Sequence, residues 1–272
     1  MDMVTKKKIL EYVQDKDNMN LNILDEQLEK FQKGDNPSGT ISITENGEYD
    51  VTEYEGADVN VQASNVDLID LIERDLTSIE IPQGVTTIGS NVFSYCPDLT
   101  NVTIPDSVTS IGAYAFNNCE SLTSVEIPQS VTIIKDGCFD SCVSLTNVTI
   151  PDSVTSIGAY TCVRCSGLTS ITLSNSLTEI PAGAFNECSS LISVEIPQGI
   201  TIIKDTAFAS CTNLTSVTIP DSVIQINPVA FGDCDNLADI YYTGTQAQWE
   251  QITIGTNAIP AGATIHYEYV PE

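Results

Sequence analysis

Leucine recurs every 23 residues along most of this 272-residue chain, and this spacing constrains the fold more than any other feature. We number the positions of the repeating unit from this leucine, which is column 1. The column contains Leu76, Leu99, Leu122, Leu145, Leu168, Leu191, Leu214 and Leu237, so seven complete units occupy residues 76–236. A unit of this length cannot bury its apolar face alone, whereas stacked copies can. The spacing therefore predicts one elongated solenoid.

The first third of the unit has the pattern of a short strand. Columns 4 and 6 are apolar in all seven copies, whereas columns 3 and 5 are polar. This alternation is typical of a strand with one buried face. Proline fills column 7 in six of the seven copies. It marks the end of the strand, because proline has no backbone N–H to donate.

The remainder of the unit turns the chain back. Column 13 is isoleucine in all seven copies, and column 18 is phenylalanine in every copy except the fourth, which has Cys162. We expect a short strand and a short helical turn here.

A longer period is superimposed on the 23-residue spacing: columns 5–8 read EIPQ in copies 1, 3 and 6, TIPD in copies 2, 4 and 7, and TLSN in copy 5. This indicates duplication of a two-unit block, followed by one irregular step.

The unit LTNVTIPDSVTSIGAYAFNNCES, residues 99–121, resembles the BspA-like leucine-rich repeats of bacterial and some protist surface proteins. The segment ADIYYTGTQAQWEQITIGTNAIPAGATIHY, residues 238–267, resembles an end cap common in such proteins. The resemblance implies an α+β repeat fold: a solenoid with a parallel β-sheet on its concave face and short strands or helical turns on its convex face. It also implies a cell-surface or secreted protein with a binding or adhesive role and no shared catalytic residues.

The flanking segments complete the expected organisation. GTISITENGEYDVTEYEGADVNV, residues 39–61, resembles a short module of prophage structural proteins from Gram-positive bacteria, which implies a virion as an alternative location. The aromatic residues Tyr241, Tyr242, Trp249 and Tyr267 are expected to cover the last open turn. We expect an N-terminal helical segment at 1–38, a small β-hairpin module at 39–65, a capping helix at 66–75, seven repeats at 76–236 and a C-terminal cap at 237–272.

The charge excludes several classes of partner. The net charge is −27, and residues 76–272 carry only Lys135, Arg164 and Lys204 as cations. Nucleic acids and anionic membrane surfaces need cations that neutralise phosphate, so neither is expected as a partner. No apolar run is long enough to span a bilayer, so no membrane insertion is expected. No signal peptide is visible, because Glu11 and Asp15 interrupt the stretch behind the N-terminal lysines.

The cysteines belong to the repeat. Seven of the nine occupy column 21, so we expect buried, reduced thiols that act as small apolar side chains. Cys138, Cys142, Cys162 and Cys165 have the spacing C-x3-C-x19-C-x2-C, close to a structural zinc pattern. Cys142 and Cys165 are already explained by column 21, and the other two by apolar columns. We therefore expect no metal and no cofactor.

Catalytic patterns are weak. The single histidine is His266, and neither a G-x-S-x-G nor a phosphate-binding glycine motif occurs. Glu80, Glu126 and Glu195 share one sheet face and do not oppose each other across a cleft, as the carboxylates of a glycosidase would. The sequence predicts a protein that is not an enzyme. A hydrolase with an unrecognised site remains an alternative.

The outward columns 3 and 5 form the candidate binding surface. The predicted contact residues are Glu80, Asn101, Thr103, Glu126, Asn147, Thr149, Thr172, Glu195 and Thr218. This surface is small, polar and mildly acidic, and it lacks the Trp, Tyr and Arg anchors of tight interfaces. We expect a non-enzymatic interaction module that binds a protein or glycan through the concave sheet. The alternatives are a spacer that presents the N-terminal segment, and a solvated face that binds nothing.

Overall fold

The computed structural model describes residues 41–43, 49–50, 58–61, 77–81 and 83–271. These residues form a β-solenoid of about eight turns with parallel sheets. The first N-terminal strands are β1 (Ile41–Ile43), β2 (Tyr49–Asp50) and β3 (Asp58–Val61). Strand β1 pairs antiparallel with β2 and parallel with β3. The helical segment expected at 1–38 and the capping helix expected at 66–75 lie outside the described residues.

Every turn except copy 3 contributes a first strand that begins at or near column 3. These strands are β4 (Ser78–Glu80), β6 (Asn101–Thr103), β9 (Asn147–Thr149), β11 (Ser170–Thr172), β13 (Ser193–Glu195), β15 (Ser216–Ile219), β17 (Asp239–Tyr242) and β19 (Thr264–His266). Paired residues within the repeats are 23 apart, as in Val148 with Ile171. Strand β3 also pairs in parallel with β4. Column 4 packs inward, and columns 3 and 5 form an outward surface that we call the first-strand face.

A second strand of two residues follows in each turn, at columns 12 and 13. These strands are β5 (Thr87–Ile88), β7 (Ser110–Ile111), β8 (Ile133–Ile134), β10 (Ser156–Ile157), β12 (Glu179–Ile180), β14 (Ile202–Ile203), β16 (Gln225–Ile226) and β18 (Thr253–Ile254). They form one sheet from β5 to β10 and another from β12 to β18. The break between the two sheets lies between copy 4 and copy 5. The column-14 residue of copy 5 is Pro181, which cannot make the backbone bond that Lys135 N donates to Ile111 O in copy 3 (3.0 Å).

The third side of each turn is built from left-handed residues. Columns 16 and 20 have φ between 54° and 61° in all seven copies. Their amides, and those of column 18, donate to the next copy, as Tyr114 N does to Asp136 O and Phe116 N to Cys138 O, both at 2.8 Å. These donors are therefore unavailable for a helix. The helical turns expected here do not form, and within the described residues the only helix is α1 (Gln246–Trp249). The α+β label is thus not supported, since the described chain is nearly all strand and turn.

The left-handed column also accounts for part of the two-unit period. Column 16 alternates between tyrosine and glycine in copies 2 to 5. Tyr114 lies over Gly137 of the next copy, and Tyr160 lies over Gly183, with no room in either place for a Cβ atom. Both glycines also have positive φ, which glycine tolerates without steric cost. Each tyrosine copy therefore needs a glycine copy after it.

The core runs along the solenoid axis and is built from stacked columns. Phe93, Phe116 and Phe139 stack with ring centroids 5.3 and 5.6 Å apart. A second stack contains Phe185, Phe208 and Phe231 at 5.2 and 5.3 Å. Cys162 lies between the two stacks and is fully buried. The aromatic column is therefore interrupted once, in copy 4.

The cysteine column is a hydrogen-bonded ladder. From Cys119 onward, each column-21 thiol donates to the column-18 carbonyl of the preceding copy, for example Cys119 Sγ to Phe93 O at 3.1 Å and Cys234 Sγ to Phe208 O at 3.0 Å. All nine cysteines are free and buried. Burial raises the pKa of the Cys96 thiol to about 11 and that of Cys119 still further, so these thiols keep their protons at neutral pH. The column supplies donors as well as apolar volume.

The C-terminal segment adds the eighth turn. Strand β18 pairs with β16, and β19 pairs with β17. Tyr242 and Trp249 are buried with their rings edge to face at 5.1 Å, and Tyr267 packs partly buried against the core. Tyr241, which we expected to share this role, alternates to the other side of β17 and lies on the first-strand face. It is half-buried there.

Candidate functional site

The first-strand ladder is interrupted in copy 3. Residues 122–128 form no strand, although Val125 and Ile127 follow the apolar columns. Where the ladder is closed, column 6 donates to the next copy, as Ile81 N does to Thr103 O (3.0 Å) and Ile150 N to Thr172 O (2.9 Å). Among the described residues, neither Ile104 N nor Ile127 N makes such a bond. We call residues 122–128 the copy-3 gap.

A groove of about 830 Å³ lies at this gap. Its lining consists of Asn101, Val102, Thr103, Ile104 and Asp106 on one side and Ser124, Glu126, Ile127, Pro128, Gln129 and Ser130 on the other. Ile104 and Ile127 are 8% and 7% exposed, compared with 2% for the equivalent Ile150. The column-6 side chains are thus less covered where the ladder opens, so the groove reaches the edge of the core.

The chemistry of the groove is polar and acidic. Glu126 and Asp106 are exposed, and no Lys or Arg is among the lining residues. The hydroxyl of Ser130 is already engaged, since it donates to Val108 O at 2.6 Å. Within the described part of the chain, the amides of residues 124–127 have no protein acceptor. Unpaired strand groups of this kind can pair with an incoming backbone or another polar ligand. The groove therefore suits a ligand that offers acceptors to these amides and donors to the carboxylates, and that carries no negative charge.

The predicted contact residues are divided by the structure. Asn101, Thr103 and Glu126 come together at the groove. Glu80 pairs with Thr103 on the adjoining strand. The other five lie further along the same face: Asn147 and Thr149 on β9, Thr172 on β11, Glu195 on β13 and Thr218 on β15.

The predicted contact residues lack four polar residues of the groove, namely Ser124, Ser130, Asp106 and Gln129. Ser124 lies in column 3, on the outward surface that the sequence predicts, and Ser130 lies in column 9. Asp106 and Gln129 occupy column 8, just past the strand end. The alternation of EIPQ and TIPD is the one signal that could have found them, because it places an amide and a carboxylate side by side in neighbouring copies.

The other chemical candidates have structural roles. Cys142 and Cys165 of the zinc-like pattern donate to Phe116 O and Phe139 O at 3.1 and 3.0 Å. Over the described residues, no group of three His, Cys, Asp or Glu side chains is placed to hold a metal ion. His266 Nε2 lies 2.7 Å from Asp239 Oδ1. Its ring stacks on Tyr241 with centroids 4.9 Å apart.

Comparison with known proteins identifies the repeat. The family model described as "BspA type Leucine rich repeat region" matches residues 72–188 and 132–258. The prediction of a leucine-rich-repeat solenoid with parallel sheets is thereby confirmed. The comparison with curated proteins found no match.

Three solved structures are similar. A leucine-rich cell-surface protein from Faecalibacterium prausnitzii is 28% identical, with a TM-score of 0.50, and the match covers 72% of this chain and 75% of that one. The Treponema pallidum leucine-rich repeat protein is 26% identical, with a TM-score of 0.53 and coverage of 73% and 87%. A leucine-rich repeat protein from Bacteroides ovatus, 23% identical with a TM-score of 0.58 and coverage of 84% and 71%, shows the shared fold. No helix in the described part of the chain has the length and apolar character needed to cross a bilayer.

Proposed function

The chain belongs to the BspA-type leucine-rich repeat family, and from this premise we propose that it is a non-enzymatic interaction module that binds a protein or glycan through its first-strand face. The observation that carries the proposal is the copy-3 gap, where three predicted contact residues meet at a groove with unpaired backbone groups. A volume of about 830 Å³ is within the range of ligand-binding clefts.

The proposed location is the cell surface or the extracellular space. The support is the similarity to the F. prausnitzii cell-surface protein. The resemblance of residues 39–61 to a prophage module makes a virion the alternative location. The first-strand face is proposed to be the concave face of the solenoid. Its row of short polar side chains would leave a trough along which an extended partner could lie.

Charge indicates the chemistry of the partner. Glu80, Glu126 and Glu195 share column 5 and are exposed, on a chain whose net charge is −27. A cationic or hydroxyl-rich partner therefore fits better than an anionic one. Because the other column-5 side chains in the repeats are threonines, single contacts will be weak. Several repeats, or several copies of the protein, would add their contributions by avidity.

The test is the triple variant Glu80→Lys, Glu126→Lys, Glu195→Lys, assayed for binding to host matrix proteins, immobilised glycans and bacterial surfaces. We expect binding to fall by about 10-fold or more, because the substitution reverses the charge at the proposed contact. The matched control is Asp98→Lys, Glu120→Lys, Asp235→Lys. It makes the same charge change at exposed residues of columns 22 and 23, which precede the first strands and do not line the groove, and should bind as the wild type does.

The contrary result is equally clear. If the triple variant keeps its melting temperature and binds at full strength, the first-strand face is not the contact surface. The spacer function, with the partner on the N-terminal segment, would then be the better explanation.

A further inference from the structure

Aromatic rings occur on the first-strand face at one place within the described residues, which is the last turn. Tyr241 occupies the column-5 position of β17, and His266 pairs with it on β19. The rings of Tyr241 and His266 stack with centroids 4.9 Å apart, and the ring centroid of Tyr269 lies 4.7 Å from that of Tyr241. We call Tyr241, His266 and Tyr269 the aromatic wall.

The aromatic wall does not close the core. Tyr242 and Trp249 do that on the inner side of the same turn, where both are buried. The wall rings lie on the outer side and are only half-buried, and the His266 side chain retains 43% of its exposure. These partly exposed rings thus lie on an otherwise hydroxylated face. Tyrosine is among the residue types that anchor binding sites.

The register defines what lies beside the wall. His266 and Tyr269 come from β19 and the residues just after it. On the opposite side of Tyr241, strand β15 presents only Ser216 and Thr218, which pair with Asp239 and Tyr241. The next strand, β13, carries Ser193 and Glu195 in the same register. A floor of short hydroxylated side chains about 10 Å wide, two strand spacings, thus separates Tyr241 from Glu195.

The polar groups of this floor match a ligand with many hydroxyls. Serine and threonine hydroxyls both donate and accept hydrogen bonds. Asp239 uses Oδ1 for His266, so its Oδ2 remains as an acceptor beside the ring. On the first-strand face itself, the carboxylate of Asp239 is hydrogen-bonded to His266, and Glu195 is two strands away.

We propose that this end of the first-strand face binds a pyranose ring of a glycan. The C–H face of the sugar packs against the exposed part of the aromatic wall, which is centred on Tyr241, and its hydroxyls bind Ser216, Thr218 and Asp239. The inference rests on the proposed function in using the first-strand face, but it concerns a second position. Tyr241 is five units from Glu126, a separation on the order of 24 Å at the strand spacing of a sheet.

The experiment measures binding of free oligosaccharides by saturation-transfer NMR. The probes are cellotetraose, maltotetraose, chitotetraose and a mannotetraose, followed by an array of bacterial and mammalian glycans. Hexa-arginine serves as the cationic comparison. We expect at least one saccharide to bind the wild type. Tyr241→Ala should weaken it by about 10-fold or more, whereas Tyr241→Phe, which keeps the ring, should stay within about 2-fold.

Two controls separate binding from folding. Trp249 is the only tryptophan of the chain and lies in the same turn, so its fluorescence reports whether Tyr241→Ala leaves the turn folded. Tyr95→Ala removes a tyrosine that is 68% exposed and lies in column 20, away from the first strands; it should leave saccharide binding unchanged.

The inference is overturned if no saccharide binds, if Tyr241→Ala binds as the wild type does with Trp249 fluorescence intact, or if hexa-arginine alone depends on Tyr241. A different measurement tests the proposed function. That function is contradicted if the triple lysine variant still binds matrix proteins, immobilised glycans or bacterial surfaces at full strength. Saccharide binding that is lost in Tyr241→Ala but kept in Glu126→Lys would support two separate positions on one face.

Discussion

At the scale of the residue, the repeat is held in phase by side chains that hydrogen-bond to the neighbouring copy. The column-21 thiols donate to column-18 carbonyls of the preceding copy. On another side of the solenoid, column-11 threonines donate to the column-11 carbonyl of the preceding copy, as Thr109 Oγ1 does to Thr86 O at 3.1 Å. The column-9 hydroxyls behave likewise, as in Ser107 Oγ to Val85 O at 2.8 Å. A buried carbonyl without its donor would cost about 1–3 kcal/mol. Cysteine suits its column because it combines small volume with a donor.

Cys162 offers a test at this scale. It occupies the phenylalanine column and is fully buried between Phe139 and Phe185. Cys162→Phe should restore the continuous stack and raise the free energy of unfolding by about 1 kcal/mol or more, seen as a higher melting temperature. Cys162→Ala is the matched control and should lower it. A lower melting temperature for Cys162→Phe would show that copy 4 has repacked around sulfur.

At the scale of the element, the column pattern predicts some features and not others. Alternation of columns 3 to 6 predicts the strands and their buried side correctly, because burial on one side of a strand leaves a period of two. The left-handed columns gave no signal, since Asn, Tyr, Arg and Thr occupy positions where glycine would have been recognised. The copy-3 gap gave none either. EIPQ at 126–129 is identical to the sequence at 195–198, whose first residue ends strand β13. Whether the first-strand ladder is interrupted depends on how neighbouring copies stack, and two copies with the same local sequence can differ in this.

The last turn is the element whose removal is most informative. Strands β17 and β18 cover the edges of β15 and β16, and Tyr242 and Trp249 cover the apolar end of the core. Deletion of residues 238–272 should expose both edges and cause aggregation, measured by size-exclusion chromatography with light scattering. The control is a shorter truncation that ends the chain at Tyr269, removes only residues 270–272, and should remain soluble. A monomeric 1–237 protein with unchanged melting would show that this segment does not act as a cap.

At the scale of the whole molecule, the sheets are interrupted at different places. The first strands are unpaired on both sides of copy 3 and between β11 and β13, whereas the second strands are unpaired only between β10 and β12. Wherever one sheet opens within the described repeats, the other is paired, and the left-handed side continues throughout. The copy-3 gap therefore opens one face without dividing the solenoid, so a groove forms on a continuous framework.

Amide hydrogen exchange of residues 124–127 tests the central claim most directly. Without ladder bonds these amides should exchange about 10-fold or more faster than those of residues 217–219 in β15, a strand that is paired on both sides. Addition of a partner that binds the first-strand face should slow exchange at 124–127 and leave the left-handed side, residues 137–141, unchanged. Equal protection of 124–127 and 217–219 in the free protein would contradict the account, because the ladder would then be closed and the groove at copy 3 would not exist.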